Sequence, residues 1–151
     1  MGDRVSTDIT IGGKLKRADV PTLMNAFMAE GAMGRNNNQD SIELTEKTDP
    51  STIDWFAIDE CNYSNIDDLK DVFNELGLAY SQTWGAGNEF PAGQCFNLQD
   101  NNNEREAVGE EEATFTATQI LEASVDPGKL LKLFEDAEWW KKPMPKLEII
   151  D

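Results

Sequence analysis

The sequence predicts an α+β fold, with a mixed or mostly antiparallel sheet and about three helices packed on it. Short β-prone runs are interspersed with amphipathic helical runs along the chain. Two β-prone runs, Leu78–Trp84 and Gly93–Gln99, are joined by a glycine-rich connection and indicate a hairpin, which interrupts a regular βαβ alternation. With 151 residues, 39% of them hydrophobic and 28% charged, we expect one globular domain over residues 1–151.

The first part of the chain predicts a βαβ unit over residues 8–47 within this domain. Asp8–Leu15 alternates apolar and polar residues before a Gly-Gly pair, which is typical of a short strand entering a bend. Residues 19–31 have apolar residues at helical spacing, an Asp that suits the N-cap and a closing glycine. The run 41–46, SIELTE, predicts the second strand.

The rest of the chain continues this mixture of elements. Ile53–Asp59 is strongly β-prone and predicts a central strand, and Asn65–Gly77 predicts a helix that ends at its glycine. Glu112–Ala123 alternates apolar and polar residues and predicts a strand with one solvent-facing side. The stretch Ile53–Ile150 is compatible with a ferredoxin-like βαββαβ pattern with an added strand.

The last elements carry clear start signals. Asp126 and Pro127 suit the N-cap and first position of a helix. On that helix Trp140 continues the apolar stripe, whereas Trp139 falls opposite it and is a candidate interface residue. The run KLEII predicts a final strand.

The net charge of -16 lies in the middle of the chain. Residues 1–35 carry five basic and four acidic side chains, and residues 129–151 carry five of each. Residues 36–128 hold 20 acids and three bases, a net charge of -17. Such a surface repels nucleic acid and anionic lipid, so we expect neither to be a direct partner.

The chain contains no histidine, which excludes histidine-dependent catalysis and histidine-ligated zinc within it. The isolated Cys61 and Cys95 neither form a disulfide framework nor complete a zinc site, and we expect both to be small buried residues. Two classes of function remain. One is carboxylate chemistry, with or without a hard cation, and the other is binding without catalysis. We expect no cofactor.

The predicted helix Asn65–Gly77 has two contrasting faces. Its apolar residues form one stripe, and Asp67, Asp68, Asp71 and Glu75 fall opposite. The helix dipole favours Asp67 and Asp68, and Ser64 with Asp67 approximates a capping box. The i,i+4 pairs among these acids instead destabilise the helix by roughly 0.2–0.5 kcal/mol each. The face therefore either keeps the chain in solution or binds Lys and Arg side chains of a partner.

Further carboxylates extend the predicted partner-binding set. They follow the second strand of the hairpin: Glu104, Glu106, Glu110, Glu111 and Glu112. Asp59 and Glu60 end the predicted central strand, where hard-cation sites often occur, and give an alternative metal site.

In its charge distribution over residues 36–128, the chain resembles the acidic nucleic-acid mimics that phages and mobile elements use as anti-restriction or anti-CRISPR inhibitors. The resemblance is one of composition and carries no residue roles. It implies a non-enzymatic cytoplasmic protein, monomeric or a small homo-oligomer, that occupies a basic DNA- or RNA-binding groove of a partner. Two other functions stay open: a Mg²⁺-dependent carboxylate enzyme acting on a phosphorylated compound, and an acidic scaffold or structural subunit.

Overall fold

A long N-terminal strand organises the sheet in the computed structural model. The structure describes residues 4–37, 41–62, 65–86, 92–99, 105–108, 112–113, 117–131 and 144–151. The strands are β1 (Arg4–Lys16), β2 (Met33–Arg35), β3 (Ser41–Ile42), β4 (Trp55–Asn62), β5 (Ala79–Trp84), β6 (Gly93–Asn97), β7 (Arg105–Val108), β8 (Glu112–Ala113) and β9 (Leu147–Ile150). The helices are α1 (Val20–Ala29), α2 (Asp67–Leu76) and α3 (Ala117–Val125), with short 3-10 turns at Arg17–Asp19 and Pro50–Thr52.

The sheet has the strand order β3-β2-β4-β1-β5-β6-β7-β8, and every neighbouring pair along this path is antiparallel. β9 pairs with β1 in parallel. With helices interspersed along the chain, this arrangement confirms the predicted α+β class and the mostly antiparallel sheet.

Two split βαβ units interlock in the centre of the sheet. β1 and β2 flank β4 and are joined through α1, while β4 and β5 flank β1 and are joined through α2. Apart from the two-residue edge strand β3, the elements of Arg4–Trp84 therefore follow the order βαββαβ, and β1 is the first strand of that pattern. The predicted ferredoxin-like pattern over Ile53–Ile150 is not confirmed.

The main core lies between this sheet and the two helices α1 and α2. Phe27 of α1 stacks on Phe56 of β4 with ring centroids 3.9 Å apart. Phe73 of α2 lies 5.7 Å from Phe27 and 5.2 Å from Tyr80 of β5, measured between ring centroids. All four rings are at most 1% exposed, so they join both helices to the two split units.

Several local predictions are confirmed. The strand Ile53–Asp59 is observed as β4, an interior strand, and the hairpin is observed as β5 and β6. The helix signal at Asp126 is also confirmed, because its carboxylate accepts a hydrogen bond from the Gly128 N–H at 3.0 Å. Residues 127–131 are helical, and the final strand is β9.

Other local predictions are wrong. The predicted strand Glu112–Ala123 contains only the two residues of β8, and its second half forms α3. Its alternation of Thr and Ala resembled a strand, whereas Gln, Leu, Glu and Ala are good helix formers. The predicted strand 41–46 is reduced to Ser41–Ile42, the edge strand β3.

Candidate protein-interaction surface

α2 is fixed in place by its buried stripe. Ile66, Leu69 and Phe73 are at most 1% exposed, and Val72 and Leu76 pack against the same core as partly buried side chains. This spacing is the predicted one, and it anchors one side of α2 to the sheet and to α1.

The ends of α2 are defined by two local features. Asn65 supplies an acceptor at the N-terminus, where its Oδ1 receives a hydrogen bond from the Asp67 N–H at 2.9 Å. The Ser64 partner of the predicted capping box lies outside the described residues. Gly77 ends the helix as predicted, in the left-handed conformation with φ of 68°.

The four predicted acidic residues of α2 are all exposed and lie on one face. At about 100° per residue, Asp67, Asp68, Asp71 and Glu75 fall within an arc of roughly 100°. We call these four side chains the acidic face. Asp67 and Asp68 lie in the first turn, where the helix dipole stabilises negative charge. Asp71 and Glu75 have no such compensation.

The side chains of the acidic face are all exposed to solvent. α2 carries these four carboxylates and one basic residue, Lys70, so its net charge is -3. The face therefore presents an excess of negative charge to solvent.

The neighbouring helix carries no charge of its own. α1 packs against α2, and its sequence VPTLMNAFMA contains no charged residue. Met28, near the end of α1, is 41% exposed. Of these two helices, only α2 contributes negative charge to the surface.

Of the other predicted carboxylates, the structure describes the backbone of two, and both lie away from α2. The backbones of Glu106 and Glu112 lie in β7 and β8, two and three strands beyond β5 in the sheet order. Glu104, Glu110, Glu111 and Trp139 lie outside the described residues. Their part in the predicted binding surface remains a prediction.

Asp59 belongs to a second polar cluster, on the opposite face of the sheet from the core. Its Oδ1 lies 3.5 Å from a guanidinium nitrogen of Arg35 on β2, and Asp59 is 72% exposed. Loss of hydration raises the pKa of the nearby Asp8 on β1; the Arg35 guanidinium opposes this shift, and the Asp59 carboxylate adds to it. Sequence reasoning missed Asp8 and Arg35, because only the pairing of β1 and β2 with β4 brings them to Asp59.

The sequence predicts an alternative metal site at Asp59 and Glu60. Asp59 pairs with a cation of the chain itself, and the Glu60 backbone continues β4. Among the residues that the structure describes, no three His, Cys, Asp or Glu side chains are grouped so that they could hold a metal ion.

Both cysteines are buried thiols that form no disulfide, as predicted. Cys61 belongs to the main core, and its Sγ lies 3.5 Å from the Asn65 carbonyl oxygen. Burial raises the pKa of the Cys61 thiol, and the charge of Glu30 adds to this effect. A thiol of this kind is a packing residue and a poor nucleophile.

In comparisons with protein-family models, curated proteins and solved structures, nothing matches this chain. None of the helices in the described ranges is both long enough and apolar enough to cross a membrane.

Proposed function

We propose that this protein is a non-enzymatic interaction module whose acidic face occupies the basic, nucleic-acid-binding surface of a partner protein. The observation that carries the proposal is the geometry of α2, in which four exposed carboxylates share one face while the opposite face is anchored in the core. A rigid array of like charges loses little conformational entropy when it binds a surface of opposite charge.

The charge spacing of the acidic face supports a nucleic-acid mimic. From Asp67 to Glu75 the helix rises about 12 Å, so four carboxylates give one negative charge per roughly 4 Å of helix axis. One strand of duplex DNA carries one phosphate charge per about 3.4 Å of axis. Lys and Arg side chains spaced for a phosphate backbone therefore meet carboxylates at a similar density.

The class of protein that uses such surfaces is the anti-restriction or anti-CRISPR inhibitor of phages and mobile elements, acting in the host cytoplasm. The net charge of -16 supports this class, since it accelerates association with a basic protein. Negative charge also keeps a protein in solution. The test must therefore distinguish the effect of the charges on α2 from the effect of charges elsewhere on the surface.

The test compares two variants with the same net charge. In the first, Asp71→Lys and Glu75→Lys reverse two charges on the acidic face. In the matched control, Glu43→Lys and Glu46→Lys reverse two exposed charges near β3. Each variant is measured by surface plasmon resonance against a DNA-binding protein captured from host lysate by the wild type, together with the DNA binding of that captured protein.

We expect the α2 variant to associate more slowly and to lose the ability to displace duplex DNA, with little change in the control. Binding by the wild type should weaken as salt increases, because the attraction is screened. The α2 variant should remain folded and gain a few tenths of a kcal/mol. The repulsion between Asp67 and Asp71 becomes an attraction, and a lysine at position 75 suits the C-terminal end of the helix dipole, although the lysines at 71 and 75 still repel each other. Equal association rates for both variants would mean that the acidic face only keeps the protein in solution. That result would favour the alternative function as an acidic scaffold.

A further inference from the structure

We draw no further inference here: the strongest candidate, the exposed apolar face of α3 that Ile120, Leu121 and Val125 form, carries none because nothing in the described ranges of the chain shows what covers it.

Discussion

The side-chain amide of Gln82 donates a hydrogen bond to Thr7 Oγ1 at 2.9 Å, and both residues are only 1% exposed. Thr7 in turn donates to the Thr83 carbonyl at 3.0 Å, and the Cys95 Sγ lies 3.4 Å from Gln82 Oε1. This polar row crosses β1, β5 and β6 within the buried part of the sheet. Since buried polar groups must be paired, the row fixes the register of the three strands.

Thr7→Val should therefore destabilise the protein by about 1–3 kcal/mol, because it keeps the side-chain shape but removes the acceptor of the Gln82 amide. Thr83→Val is the matched control, as the Thr83 side chain is exposed and only its carbonyl takes part in the row. It should change stability by less than about 0.5 kcal/mol. Urea denaturation measures both, and equal losses would show that the row contributes no specific stability.

Gln99 holds the end of β6 against α2 in a strained backbone conformation. Its φ is 62°, and its Nε2 donates to Asn74 Oδ1 at 2.7 Å and to the Leu78 carbonyl at 3.0 Å. Gln99→Ala and Gln99→Gly remove the same side-chain bonds, but only glycine relieves the left-handed conformation. We expect the glycine variant to be more stable than the alanine variant by about 1 kcal/mol in denaturant melts. An alanine variant that is as stable as the glycine variant, or more stable, would contradict a strained backbone at Gln99.

Asp8 should destabilise the folded protein near neutral pH. Its pKa is raised above the ordinary value of 3.8 in the folded state, so folding favours its protonated form. The protonated Asp8 carboxyl makes a stabilising contribution that is complete below pH 3.8. This contribution is lost as the pH rises through the folded-state pKa. Asp8→Asn should thus raise stability at pH 7 and lose this advantage in acid. Urea melts at pH 7 and about pH 3 test this, and an advantage that grows in acid would contradict the assigned direction.

Asp49 should show the opposite pH dependence. Hydrogen bonds from the Ser51 hydroxyl at 2.6 Å and the Ser51 N–H at 2.9 Å lower the pKa of its carboxyl below 3.8. Its contribution is therefore present above pH 3.8 and is lost as the pH falls through the folded-state pKa. Asp49→Asn should destabilise the protein at neutral pH and have a smaller effect in strong acid. Urea melts at pH 7 and at about pH 2 measure the effect, and a constant penalty at both pH values would contradict the linkage.

The protein should not retard duplex DNA in a gel at about 150 mM salt, because phosphate repulsion opposes its net charge of -16. Retardation that resists competitor DNA would show direct nucleic-acid binding and would reverse the expected class of partner.

The sequence by itself determined α2 and its acidic face. The apolar spacing from Ile66 to Leu76, the closing Gly77 and the four opposing acids are local properties of one helical stretch, so periodicity is enough to predict them. The short strands β4, β5 and β6 were predicted for a similar reason. The alternation in Glu112–Ala123 was misleading because β8 and α3 share a stretch whose local pattern fits both periods.

Only the tertiary structure decided how distant segments meet. It inserts β1 between β4 and β5, so that Thr7 and Gln82 are hydrogen-bonded and Asp8 lies near Asp59. The pairing of β2 with β4 brings Arg35 to Asp59, and β9 pairs with the end of β1. Strand order and register arise from closing long loops and burying one sheet face cooperatively, and a local pattern carries no information on which strands become neighbours. For that reason the acidic face followed from the sequence, while the polar row, the Asp8 cluster and the pairing of β1 with β9 did not.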